Sequence, residues 1–196
     1  MIMQHRLSEY IADFLLSQKV IKKQEKEIYV YGTQLVISSL INLLICITIS
    51  LLLGELINGL IFFAIFSSLR RFTGGFHCKT FIMCNVVFSS VVALALLSNT
   101  FLGKVFENYV IVMVTAIFNL ICILLFSPVY NENKKLTYIQ KRRFLISSII
   151  VYAIHIAFYL TLLIVFDVKL NIIVIGDLIV SLMIIWGVIN NIVMKK

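Results

Sequence analysis

Apolar residues in this chain gather into long runs separated by short charged or glycine-containing breaks. Six runs cover about 33–53, 56–69, 81–103, 108–127, 144–166 and 170–194, and the breaks are Gly54-Glu55, the stretch 70–80, Lys104 to Glu107, the loop 128–143 and Asp167 to Lys169. A helix needs roughly 20 apolar residues to cross about 30 Å of hydrocarbon, and most of the runs meet that length. The second, Leu56 to Leu69, reaches only about 21 Å as a helix, so the bilayer thins there or the motif after it sits partly within the membrane, in a cytoplasm-facing cavity. Pro128 marks the stop of the fourth run, because proline cannot continue a helix with a normal hydrogen bond. Ahead of the runs, Leu7, Tyr10, Ile11, Phe14 and Leu15 recur at helical spacing opposite Arg6, Glu9 and Asp13, which predicts an amphipathic interfacial helix over Arg6 to Gln18. The pattern therefore predicts an all-α, polytopic membrane protein with about six transmembrane helices. Its N-terminal segment, 1–32, lies at the surface, and a membrane domain, 33–196, carries a motif region at 70–84 and a basic loop at 128–143.

Composition agrees: 61% of the residues are hydrophobic, 13% are charged and one is proline, which excludes an ordinary water-soluble globule and disfavours alternating barrel strands. A formal net charge of +8 would suggest nucleic acid in a soluble chain. Here the cations punctuate apolar runs without forming a stripe with interleaved aromatics, so no nucleic-acid partner is expected. With both termini placed in the cytoplasm, the inside segments hold 15 of the lysines and arginines and the outside segments hold Lys104 and Lys169, a strong positive-inside bias. The first 30 residues carry nine charged side chains, and nothing in them resembles a secretory signal peptide. The four cysteines, Cys46, Cys78, Cys84 and Cys122, show neither CxxC spacing nor a disulfide framework. Cys46 and Cys122 lie inside apolar runs and read as small hydrophobes.

The stretch richest in chemistry is Arg70-Arg71-Phe72-Thr73-Gly74-Gly75-Phe76-His77-Cys78-Lys79-Thr80, followed by Phe81-Ile82-Met83-Cys84 at the head of the third run. Paired glycines free the backbone from helical geometry, a histidine supplies a base near neutral pH, and Cys84 lies seven residues beyond it. On one helix, residues seven apart are separated by about 10.5 Å, too far for proton transfer. A turn at Gly74-Gly75 would fold His77 over the first turn of a helix beginning near Thr80, where Arg70, Arg71 and Lys79 favour a thiolate. The same residues also fit a loop breaker, a polar interfacial histidine and a pair of topology anchors. His77, Cys78 and Cys84 make at most three metal ligands with no fourth at a recognisable spacing, so no metal site is expected. Asp177 near the outer end of the last run and His155 near the middle of the fifth are intramembrane ionisable residues, read here as structural hydrogen-bonding groups.

The string Arg71-Phe72-Thr73-Gly74-Gly75-Phe76-His77, with Cys84 after it, resembles the signature of the accessory gene regulator B family of Gram-positive quorum-sensing peptidases. The charged N-terminal segment, the multiple spans and the loop Ser127-Pro128-Val129-Tyr130 with Asn133-Lys134-Lys135 agree with that family in outline. The resemblance implies that Cys84 is the nucleophile, with Cys78 as rival thiol, that His77 is its general base, and that Gly74 and Gly75 shape the turn. It also implies a substrate, a short autoinducer propeptide whose C-terminal part is removed through an acyl-enzyme thioester, with closure of a thiolactone or lactone ring. The removed segment is typically acidic in the family, which would suit Arg70, Arg71, Lys79, Lys134, Lys135, Lys141, Arg142 and Arg143 on the predicted inner side. No cofactor is called for, a homodimer is suggested, and the location implied is the cell membrane of a Gram-positive bacterium. The competing class is a small transporter or channel for a peptide, routed past Asp177 and His155. It would need polar residues along one face of several spans, whereas polarity is concentrated at 70–84 and 128–143. A nonenzymatic scaffold leaves the placement of His77 and Cys84 unexplained.

Overall fold

The computed structural model of the chain describes residues 2–75, 80–129 and 136–193. Among them the secondary structure is helical: α1 (Ile2–Ser17), α2 (Lys26–Leu52), α3 (Leu56–Thr73), α4 (Phe81–Leu102), α5 (Tyr109–Phe126), α6 (Tyr138–Phe166) and α7 (Asn171–Val193), with 3-10 turns at Lys23–Glu25 and Val105–Glu107. Six helices, from α2 to α7, are long and apolar enough to cross a membrane, as the spacing of the apolar runs predicts.

Three boundaries move, each for a local reason. α3 does not stop at Leu69 but continues through Arg70 and Arg71 to Thr73, giving 18 residues and a reach of about 27 Å. Arginine is a good helix former, and cations suit the last turn, where they meet the negative end of the helix dipole. Most of the expected shortfall thus disappears. α6 begins at Tyr138, because Thr137 caps it and exchanges hydrogen bonds with Gln140 in a capping box. Lys141, Arg142 and Arg143 therefore ride on the exposed start of a helix and not in a loop. α2 begins at Lys26, where Lys26 pairs with Asp13 of α1 at 2.5 Å.

α1 lies against α2; among its described side chains Ser8 and Ala12 are buried, while Leu7, Tyr10 and Phe14 remain exposed. Small side chains let the two backbones approach, and the apolar stripe is left for lipid.

The interior is organised around α7, which packs on α3, α4 and α5. Of its most apolar 18-residue stretch 56% is buried, against 17% for α5. Ile172, Ile173, Val180 and Ile184 are fully enclosed. A Cβ placed on Gly176 would stand 3.2 Å from Ile65 Cγ2, so glycine sets how closely α7 and α3 approach. Phe62, whose ring would stand 3.5 Å from the same Cβ, stacks on Phe66 at 5.4 Å between centroids, and Phe66 meets Phe88 of α4 at 5.6 Å.

Candidate functional site

The candidate site begins where α3 ends. Gly74 takes φ +69° and Gly75 φ +130°, backbone regions open to glycine and strained for other residues. These two glycines turn the chain out of the helix, as expected of paired glycines. Their surroundings add a second constraint. A Cβ on Gly74 would come within 3.3 Å of the Val129 carbonyl, and one on Gly75 within 2.9 Å of Arg70 Nη1 and 3.2 Å of the Met183 carbonyl. Gly75 is thus seated against α7, while the Val129 N–H donates to the Thr73 carbonyl at 2.9 Å, tying the segment after α5 to the last residue of α3.

The two arginines differ. Arg70 is half-buried: its guanidinium lies 5.4 Å from the Phe66 ring centroid and donates to Met183 Sδ at 3.3 Å. Arg71 is exposed, 6.0 Å from the centroid of Phe72. Phe72 in turn meets Phe144 of α6 at 6.1 Å. One arginine fastens α3 to α7, and the next faces outward.

Thr80 is the N-cap of α4, and its hydroxyl accepts from the Met83 N–H at 3.3 Å; the Cys84 N–H donates to the Thr80 carbonyl at 3.0 Å. Cys84 accordingly occupies the first turn of α4, where the partial positive charge of the helix N-terminus favours negative charge. It is half-buried, whereas Cys46 and Cys122 are buried. Cys46 donates to the Gly59 carbonyl at 3.2 Å, in keeping with a packing role.

The predicted residues His77, Lys79, Lys134 and Lys135, together with the rival Cys78, lie outside the described residues. Arg70, Arg71, Gly74, Gly75 and Cys84 are described, and they cluster at the same end of the bundle, the end reached by the C-terminus of α3 and the N-terminus of α4. Sequence reasoning missed Met183 and Val129, which meet the glycines from distant parts of the chain through backbone atoms that carry no sequence signal. A metal-binding cluster of His, Cys, Asp and Glu is absent among the described residues.

Asp177 and His155 face each other, with Nδ1 2.9 Å from Oδ1, so their reading as structural hydrogen-bonding groups agrees with the geometry. Away from the motif, a polar cavity of about 340 Å³ opens between Asn58, Asn99, Thr100, Glu107, Lys169 and Asn171. It lies at the opposite end of the bundle from Cys84.

The family model for accessory gene regulator B matches residues 8–194. An AgrB-like protein of Clostridium perfringens (strain SM101 / Type A) is 28% identical over 145 residues, covering 72% of this chain and 68% of the relative. A second AgrB-like protein, from Clostridium perfringens (strain 13 / Type A), is 27% identical over the same shares of each chain. No solved structure matches. A match that runs from within α1 to the end of α7 takes in every spanning helix, and the chain belongs to the accessory gene regulator B family, whose role lies in quorum sensing.

Proposed function

We propose that this protein is a membrane-embedded cysteine endopeptidase that matures an autoinducer propeptide. The observation that carries the reading is the placement of Cys84: a half-buried thiol in the first turn of α4, directly after a chain that leaves α3 through two glycines in left-handed backbone. The intervening residues include His77, to which the family resemblance gives the role of general base. In the proposed reaction the Cys84 sulfur attacks the scissile carbonyl. The C–N bond breaks, the leaving amine takes the proton that His77 accepted from the thiol, and the new carboxyl end is held as a thioester. An internal thiol or hydroxyl of the propeptide then attacks that thioester, closes the ring and returns the proton to Cys84, an exchange in which water takes no part. Acidic residues in the removed segment would be drawn to the cations at this end of the bundle.

The charge partition supports a cell-membrane protein with both termini in the cytoplasm. In a chain without native cysteines, a thiol probe at Lys141 should then react only from the cytoplasmic face and one at Lys104 only from outside; the reverse pattern overturns the topology.

The chemistry is tested by Cys84→Ala, which should abolish cleavage, and by His77→Ala, which should lower it about 10² to 10⁴-fold, while Cys78→Ala retains substantial activity. A propeptide whose ring-forming residue is alanine should leave an adduct on Cys84 that hydroxylamine removes, seen by intact-protein mass spectrometry. Full processing by Cys84→Ala would sink the assignment.

A further inference from the structure

Three polar side chains from three helices meet inside the bundle, apart from the motif. Ser68 Oγ of α3 lies 3.0 Å from His155 Nε2 of α6, and His155 Nδ1 lies 2.9 Å from Asp177 Oδ1 of α7. His155 and Asp177 are 6% and 1% exposed. The second carboxylate oxygen, Asp177 Oδ2, is buried without a partner. A serine, histidine and carboxylate in line at these distances has the form of a hydrolase relay. Ser68, however, sits within α3, where the surrounding backbone N–H groups are committed to the helix and cannot stabilise an oxyanion. The arrangement is suited to holding helices.

Ser68 Oγ also stands 3.0 Å from the Ile65 carbonyl, so one oxygen joins the α3 backbone to the imidazole, and the imidazole joins it to the carboxyl of α7. Polar groups enclosed in an apolar span are costly to leave unpaired, so these contacts resist separation of the three helices.

We propose that this hydrogen-bonded clasp of Ser68, His155 and Asp177 positions the C-terminal end of α3 for the peptidase reaction, an inference that rests on the reading above. Both helices it joins to α6 run on to the motif. Arg70 follows Ser68 by two residues, and Met183 follows Asp177 by six, about 9 Å along α7. At that level Met183 takes the Arg70 guanidinium on its sulfur at 3.3 Å and offers its carbonyl to the face of Gly75. The clasp thus sets the register of α3 against α7 just below the place where that register seats Gly75. A helix transmits a slip along its length, and a misplacement of about 1 Å at a reacting group can cost about 10²-fold in rate. Ser68, His155 and Asp177 are positioning residues, acting through Arg70 and Gly75.

The test uses the full-length protein in liposomes with its cognate propeptide. Asp177→Ala and His155→Ala should lower kcat about 10- to 100-fold with KM within about threefold. Asp177→Asn, which keeps a neutral hydrogen bond to His155, should stay within about fivefold of the parent. Loss in Asp177→Asn as deep as in Asp177→Ala would overturn the hydrogen-bonded clasp, and parental turnover in the alanine variants would overturn the positioning role. A second measurement does not depend on turnover. With native cysteines replaced and spin labels at Ser67 and Leu182, the α3–α7 distance distribution should be narrow in the parent and in Asp177→Asn, and broadened by roughly 1 Å or more in Asp177→Ala. An unchanged distribution in Asp177→Ala overturns the clasp, whereas a parent without Cys84-dependent cleavage overturns the peptidase reading alone.

Discussion

At the end of the bundle where α3 begins and α4 stops, polar side chains answer one another. Asn58 donates to Glu55 at 2.5 Å, Thr100 donates to the other oxygen of the same carboxylate at 3.4 Å, and Asn171 donates to the Gly103 carbonyl at 2.9 Å. At the other end, where α3 stops and α4 begins, backbone meets backbone. Val129 closes on Thr73, and Gly75 presses on Met183 in a conformation that a side chain would strain. The first end has the polar cavity of about 340 Å³, and the second has the half-buried thiol. The contrast separates space from the proposed chemistry: a polar hollow tied by side-chain bonds is a way to finish a bundle, while a close-fitted glycine turn at the end that carries Cys84 suits the proposed holding of reacting groups.

The sharpest way to break this comparison is to add one methyl group at each end. Gly75→Ala meets Arg70 Nη1 and the Met183 carbonyl at a φ of +130°; it should cost about 10- to 100-fold in propeptide cleavage while the protein remains folded. Gly59→Ala, between α2 and α3, places its Cβ against the side chain of Ser50. Overpacking of this kind typically costs about 1–3 kcal/mol, so its effect should appear as a lower thermal unfolding midpoint in detergent, and Ser50→Gly in the same chain should restore part of it. Equal thermal losses with equal activity losses would erase the distinction between the two ends.

A smaller effect sharpens the account of charge. Arg71→Glu should slow processing about tenfold at low salt, with the deficit shrinking as salt is added, because an exposed cation acts through screened attraction. Arg70→Glu should lose at least as much at every salt concentration, since it also gives up its seat on Phe66 and Met183. Arg142, exposed at the start of α6, lies beyond these contacts, and its reversal should cost less than either. Three equal losses, indifferent to salt and to neutralisation of the propeptide's acidic residues, would point to folding instead of steering.

The spans were legible because charge is so rarely tolerated in lipid that each break announces itself, and the turn at Gly74-Gly75 because only glycine goes easily where that chain goes. Helix boundaries were less legible. Arg70 and Arg71 read as an end by hydropathy and as a helical last turn by dipole, and the second influence prevailed. Which helix lies at the centre could not be read from hydropathy, since α5 and α7 are both strongly apolar while their burial differs threefold. The sign was present in a subtler form: Gly176, Asp177, Ser181 and Gly187 place small or polar residues along one buried face of α7, as close helix packing in lipid requires. The partners of those residues were beyond reach. Asp177 and His155 each stood out as ionisable groups in spans, but a serine such as Ser68 inside an apolar run gives no sign of which histidine it will meet.

The smallest effect belongs to the end with the cavity. Lys169 approaches Glu107 at 3.5 Å with side chains 34% and 50% exposed, and its ammonium lies 5.8 Å from the Tyr109 ring centroid. Pairs so open to solvent are screened and hold two long side chains at an entropic cost, which leaves about 0.2–1 kcal/mol. Lys169→Ala should therefore lower the unfolding midpoint only slightly and leave propeptide cleavage within about twofold of the parent, as substitutions away from buried or reacting groups generally do. The alanine also widens the mouth of the polar cavity. If product had to pass through that opening, cleavage by protein in inverted vesicles would stay constant while release of the cyclic peptide across the bilayer changed. A change in release with no change in cleavage would assign the cavity a transport role, and an unchanged ratio of the two would leave this end a bundle terminus and the chemistry at Cys84.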